Sequence, residues 1–211
     1  MKSELLNYFG DDLMVVNAAR VSYGKFKKNI DENDGKLIKF LVDNKHTAPF
    51  RHPQLQFRIQ CPIFVERQLF KHQVGMSANS ISGRYVDFSD NYYIINELRQ
   101  QSKSSKQGSE GTLDKPDLLL KIKNHVELSK NLYKELCDAG VAKEQCRVIL
   151  PLCLETTFIW TGSLLSYIHL WELRLKKDAQ KETKEVAEEM LNLVKNIEGN
   201  PFKYTIEAFD L

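Results

Sequence analysis

The stretch Gln54-Leu55-Gln56-Phe57-Arg58-Ile59-Gln60-Cys61 decides the fold class, because its odd positions are apolar and its even positions polar throughout. A period of two is the signature of a strand with one face covered and the other open. Pro62 ends the run and suits the first turn of a helix reaching about Lys71, which carries Phe64, Val65, Leu69 and Phe70 beside Glu66, Arg67 and Gln68. On the N-terminal side, Leu13, Val16 and Ala19 predict a helix over Asp11 to Arg20. Leu37, Ile38, Leu41 and Val42 predict a second over about Asn33 to Asp43, with a lysine-rich loop between the two.

On the C-terminal side, His72 to Gly83 is rich in Ser, Asn and Gly, lacks a sustained period, and reads as an irregular loop. Arg84 to Phe88 and Tyr92 to Ile95 read as short strands around the turn-like Ser89-Asp90-Asn91. The polar stretch from Gln100 to Pro116 reads as a mobile surface loop. Helices are then expected over about Asp117 to Asp138, stopped by Gly140, and over Lys143 to Leu150, broken by Pro151. Two more follow, over Glu155 to Leu175 and Ala179 to Ile197. The expectation is an α+β protein, mostly helical, with a small antiparallel-containing sheet, forming one domain over residues 1–211.

Composition narrows the function. Lys+Arg number 30 against 28 Asp+Glu, a net charge of +2. That balance argues against a polybasic binder of nucleic acid polymers, whose affinity rests on bulk phosphate neutralisation. A content of 42% hydrophobic residues supports a substantial core. The start, Met1-Lys2-Ser3-Glu4, lacks the apolar run of a signal peptide, and no stretch is apolar for long enough to span a bilayer. Cys61, Cys137, Cys146 and Cys153 form no CxxC pair and no zinc-like spacing with the histidines, so reduced thiols, no metal and a cytoplasmic setting (a host's, were the source viral) are expected.

The chemistry concentrates in Lys71-His72-Gln73-Val74-Gly75-Met76-Ser77-Ala78-Asn79-Ser80-Ile81-Ser82-Gly83-Arg84-Tyr85. Glycines allow close backbone approach, hydroxyls and backbone N–H groups bind phosphate oxygens, and an arginine grips phosphate with two parallel bonds. By composition alone this is a weak signal for an anion-binding loop. Ser82 has no base at an obvious spacing, which favours binding over nucleophilic catalysis.

The segment resembles the signature of the flavin-dependent thymidylate synthases, Arg-His-Arg-x-x-Ser-x-Asn-x-x-Ser-x-Arg-Tyr, with Ser77, Asn79, Ser82, Arg84 and Tyr85 in place. Pro62-Ile63-Phe64-Val65, Arg67 and Gln68 resemble the approach to that signature. Ala18-Ala19-Arg20-Val21-Ser22, Thr47-Ala48-Pro49-Phe50-Arg51-His52, Arg147 to Leu152, Trp160-Thr161-Gly162, His169 and Leu173-Arg174 resemble further family blocks in the same order. The resemblance covers roughly residues 10 to 195.

It implies reductive methylation of dUMP to dTMP with reduced FAD, methylene-tetrahydrofolate and NADPH, in a homotetramer whose sites lie between subunits. Arg174 is implied as the catalytic cation at the pyrimidine. The implied dUMP contacts are Gln68, Lys71, Ser80, Ser82, Gly83, Arg84, Arg147 and Arg174. The implied FAD contacts are His52, Gln54, Lys71, His72, Gln73, Ser80, Ser163 and His169. His46 and His125 receive no role, Cys146 reads as a packing residue, and Tyr85 and Trp171 stay open between core and stacking positions.

The departures fall at these same contacts. Lys71 and Gln73 stand where the family has arginines, one extra residue separates His72 from Ser77, and Ser80 replaces a usual glutamate. Ser163, Leu165, Lys176 and Asp178 also differ from the usual residues. Two alternatives stay beside the first reading: a pyrimidine nucleotide hydroxymethylase on the same scaffold, and a catalytically lapsed nucleotide-binding homologue.

Overall fold

A computed structural model describes residues 1–88 and 91–211. At its centre lies a four-stranded antiparallel sheet in the order β1-β2-β6-β3, built from β1 (Lys2–Phe9), β2 (Gln54–Pro62), β3 (Met76–Ser80) and β6 (Glu155–Ser163). The alternating strand read from the sequence is β2. It pairs with β6 in one unbroken register from Gln54 opposite Ser163 to Pro62 opposite Glu155. Leu55, Phe57, Ile59 and Cys61 of β2 and Phe158 and Trp160 of β6 therefore point to one face. There they pack against α3 (Ile63–Leu69), α6 (Leu164–Arg174) and α7 (Lys181–Lys195). Each large apolar side chain removed from water in this way contributes roughly 1.5–3 kcal/mol.

A second, smaller core joins α1 (Asp12–Arg20), α2 (Glu32–Asp43) and α8 (Lys203–Ala208) through Val15, Val16, Ile38, Leu41 and Ala208. Leu165 of α6 reaches into it, so α6 belongs to both cores. Two carboxylates brace this end. Asp12 accepts from the backbone N–H of Tyr204 at 2.7 Å and from the Thr205 hydroxyl at 2.6 Å, pinning the start of α8. Asp34, fully buried, lies 2.9 Å from Arg20 Nη2 and 2.5 Å from Lys27 Nζ.

Several sequence expectations are corrected. The long helix over Glu155 to Leu175 is a strand followed by a helix. Thr156, Thr157, Ile159 and Thr161 with Phe158 and Trp160 favour the pleated sheet, and the Ser163 hydroxyl accepts from Ser166 N–H to start α6 only afterwards. The loop over His72 to Gly83 contains β3, an edge strand hydrogen-bonded to β6. Arg84 to Val86 form a turn and a bend, not a strand, and Tyr92 is joined to Leu154 by an isolated bridge. Ser89 and Asp90 of the expected turn lie outside the described residues.

The stretch from Gln100 to Pro116 is organised as a hairpin, β4 (Leu98–Gln101) with β5 (Ser109–Leu113). α4 runs from Pro116 to Asp138, ending before Gly140 with its positive φ of 81°, as the sequence predicts. α5 spans only Lys143–Cys146, and a single 3-10 turn over Arg147–Ile149 completes the predicted segment.

Candidate active site

α3 and α6 converge at their C-terminal ends, and this convergence builds the site. Arg174, in the last turn of α6, donates from Nε to His72 Nε2 at 3.0 Å and from Nη2 to the Gln68 carbonyl at 3.0 Å. His169 stands exposed on an α6 otherwise mostly buried, and its ring lies close enough to His72 to act on it electrostatically. Burial first, then the charge of Arg174 and the nearby His169, push the His72 imidazolium down to about 4. His72 is therefore neutral near pH 7, accepts at Nε2, and carries its proton on Nδ1. Burial also lowers the affinity of the Arg174 guanidinium for its proton. The result is a fixed cation beside a neutral imidazole.

The Gln68 side chain is anchored from α7. Its Nε2 donates to Gln180 Oε1, and the Thr183 hydroxyl donates to its Oε1 at 3.2 Å. Gln180 in turn donates to Glu182 Oε2 at 3.0 Å, and Arg99 of β4 donates to Glu182 Oε1 at 2.7 Å. Sequence reading missed Glu182. The signal was its place four residues before Val186 and eight before Met190, on the helix face that the core covers.

The remaining predicted contacts fall into two groups. Around the turn after α3, Lys71 and Gln73 are exposed. At the neighbouring sheet end His52 is exposed, Gln54 turns its amide onto the Arg51 carbonyl at 2.9 Å, and Ser163 lies opposite Gln54. The Ser163 hydroxyl is shared with Ser166 at 2.7 Å and caps α6. Beyond β3 lies the other group, Ser82, Gly83 and Arg84. The Arg84 guanidinium sits 5.2 Å over the Tyr85 ring. Gly83 is required there, because a Cβ would lie 2.0 Å from the Phe88 ring.

That turn is tied to α5 by the pair Asp87–Lys143 at 2.9 Å, and Arg147, exposed, follows α5 directly. Among the described residues, no hydrogen bond or ion pair joins Arg84 or Arg147 to the Arg174 cluster. Ser80 lies between the groups and donates to Glu66 Oε1 at 2.8 Å. Trp171 is a core residue, whereas Tyr85 is exposed.

Cys61, Cys146 and Cys153 are not poised to attack a base. Burial, then the charges of Glu66 and Glu155, push the Cys61 thiol up to about 12, and burial also raises Cys146 and Cys153. Among the described residues no group of three or more His, Cys, Asp or Glu side chains is placed to hold a metal ion.

The loop entering β3 depends on Gly75. Its φ is 72°, and a Cβ would lie 2.5 Å from Ser166 Oγ, the atom that donates to the Val74 carbonyl at 2.9 Å. Gly75→Ala is expected to cost about 1–2 kcal/mol from the left-handed backbone alone. Chemical denaturation of the two proteins side by side measures the difference.

The profile of the family described as "Thymidylate synthase complementing protein" matches residues 4–198. Flavin-dependent thymidylate synthase from Thermus thermophilus is 39% identical over 191 residues, covering 90% of this chain and 70% of that protein. The enzyme of the same name from Thermosipho africanus is 38% identical over 208 residues, 97% of this chain and 89% of that one. Among solved structures, the UMP/dUMP methylase PolB from Streptomyces cacaoi bound with 5-Br dUMP superposes with a TM-score of 0.89 at 28% identity, covering 99% of this chain and 94% of that chain. The same methylase bound with 5-Br UMP gives a TM-score of 0.85 at 27% identity, covering 99% and 93%. With the family profile matching residues 4–198 and relatives 38–39% identical over most of its length, the chain belongs to the flavin-dependent thymidylate synthase family.

Proposed function

We propose that this protein is a methyltransferase that converts dUMP to dTMP reductively, with FAD as cofactor and methylene-tetrahydrofolate and NADPH as co-substrates. The observation that carries the reading is the hold of His72 and the Gln68 carbonyl on Arg174. This fixes a cation where negative charge on an activated pyrimidine needs stabilising. The raised Cys61, Cys146 and Cys153 thiols accord with chemistry that uses no protein nucleophile.

The residues present fit an FAD. Lys71 offers a cation for its phosphates, and Gln73, His52, His169 and Gln54 offer polar groups, while Ser80 and Ser163 border the same surface. When bound, the flavin supplies the hydride and the folate the one-carbon unit. The chain's own part is to orient the pyrimidine through Arg174, hold its phosphate with Ser82, Gly83, Arg84 and Arg147, and keep His72 neutral as a hydrogen-bonding partner. The separation of the Arg84–Arg147 arm from the Arg174 cluster supports a site shared between chains of a cytoplasmic homotetramer, in which Gln68 and Lys71 face the arm of a neighbour.

A second reading has its own support. The methylase neighbours carry both a deoxyribonucleotide and a ribonucleotide analogue, so UMP is a candidate substrate beside dUMP. The test scans purified protein for flavin absorbance, supplies dUMP or UMP with methylene-tetrahydrofolate and NADPH, and weighs the product by mass spectrometry. Formation of dTMP from dUMP is expected. A product from UMP alone moves the assignment to the ribonucleotide, and a hydroxymethyl product to the hydroxymethylase. A flavin-free protein that binds dUMP without turning it over would mark the lapsed homologue.

A further inference from the structure

We infer that Glu182 is a positioning residue for the nucleotide site, acting through Gln180 to hold the Gln68 amide as a hydrogen-bond donor toward the nucleotide. The inference rests on the reading that Gln68 borders bound dUMP. Its logic is the donor and acceptor inventory of a short relay. An ionised carboxylate only accepts, so Gln180 must turn its N–H2 group to Glu182, at 3.0 Å, and its carbonyl oxygen to Gln68. Gln68 must then turn its own N–H2 group toward Gln180 and its Oε1 toward the Thr183 hydroxyl at 3.2 Å. One Gln68 N–H remains uncommitted. The phosphate and ring carbonyls of a pyrimidine nucleotide are acceptors only, and they match that N–H.

The anchor at the far end is built to stay charged. Glu182 is only 4% exposed, on the helix face otherwise given to Val186 and Met190. Burial alone raises its affinity for a proton, but its own backbone N–H, Gln180 and Arg99 outweigh that and hold it below the usual carboxylate range. A buried carboxylate costs free energy that a leucine would not. Arg99 comes from the β4–β5 hairpin, so the relay also joins that hairpin to the site.

The experiment separates orientation from stability. Glu182→Gln removes the fixed acceptor but strands Arg99, and it carries a risk of misfolding. Gln180→Met cuts the relay while leaving the Arg99–Glu182 pair in place, and Arg99→Met breaks that pair while leaving the carboxylate facing Gln180. Dissociation constants for dUMP are measured by titration, and KM and kcat by turnover. Gln180→Met is expected to weaken dUMP binding about tenfold and raise KM in step, with kcat at saturation changed less than about twofold.

Arg99→Met is expected to lower the thermal midpoint with dUMP binding within about twofold of native. Adding Gln68→Met to Gln180→Met should cost little more, because both act through one amide. Native-like dUMP affinity in Gln180→Met, or full additivity of the two substitutions, overturns the inference. Native protein that fails to bind dUMP overturns the functional reading beneath it, and the two failures are told apart by which protein fails.

Discussion

Replacing Arg174 by alanine is expected to lower the rate of dUMP methylation by about two to three orders of magnitude, the usual effect of deleting a preorganised charge-stabilising donor, and to weaken dUMP binding as well. The fold survives the change. The Gln68 carbonyl that Arg174 bonds also accepts from Lys71 N–H at 3.3 Å and caps α3 through Phe70 N–H, so no buried acceptor is orphaned. The thermal midpoint should move by no more than about 2 °C.

His72 provides an independent readout. Burial is the first cause of its depressed titration and Arg174 the second, so removing the cation lets the imidazolium pKa rise from about 4 toward the ordinary 6.5. A proton NMR titration of ligand-free native and variant protein reads this directly. Arg174→Lys keeps a charge but loses the fork that reaches His72 and the Gln68 carbonyl together, and it should fall between native and alanine. Unchanged turnover in Arg174→Ala, or a His72 titration that does not move, removes the assignment.

The sequence made the scaffold of this site more readable than its wiring. β2 was legible because its alternation faces one covered surface and one open one. α1, α2, α4 and α7 were legible because each packs a single face. β6 was hidden because six β-branched or aromatic residues, Thr156 to Thr161, lie just before the apolar Leu164-Leu165, and period two blurs into a helix covered on nearly all sides.

β3 was hidden for the opposite reason. As a solvent-facing edge strand of Ser, Ala and Asn it has no apolar pattern, and only its ladder to β6 defines it. β1 lost its alternation to the register shift between Leu5 and Asn7. Among the proposed site residues, Gln68, His72, His169 and Arg174 were picked out by motif resemblance, and the fold brings them together. Thr183, Gln180, Glu182 and Arg99 carry their meaning only as a chain of donors and acceptors across α7 and β4, which spacing along one strand of sequence does not express.

Asp34→Asn is expected to be among the most destabilising single changes in the molecule, costing about 3–5 kcal/mol because Arg20 loses its buried carboxylate partner and Lys27 keeps only the exposed Asp31. The native carboxylate is fully buried, accepts from Arg20 at 2.9 Å, Lys27 at 2.5 Å and the Asp31 backbone N–H at 3.0 Å, and closes the capping box of α2. With 1 kcal/mol worth about 2–4 °C in a chain of this size, the midpoint should fall by roughly 10 °C. Asp43→Asn is the matched control, since its pair with Lys39 at 3.0 Å lies half exposed on both sides, and its loss should cost no more than about 0.5 kcal/mol.

The pH dependence follows with its sign. Burial alone raises Asp34, but Lys27, the Asp31 N–H and Arg20 outweigh it and hold it below 3.8. Its stabilisation is therefore present above that value and lost as pH falls through the depressed one. Asp12 behaves in reverse. Burial raises it to about 6 against the hydrogen bonds from Thr205 and Tyr204, so its contribution is present below 3.8 and lost as pH rises through about 6. Native stability thus has two limbs: from about pH 7 to 4 the gain from protonating Asp12 is opposed by His72, which stays neutral in the fold but charges below 6.5 in the unfolded chain, and below about 4 the loss of the Asp34 carboxylate takes over. Asp34→Asn should keep the first limb and flatten the second, so a variant that still lost stability steeply in acid would show that the Arg20–Asp34–Lys27 cluster is not what acid breaks.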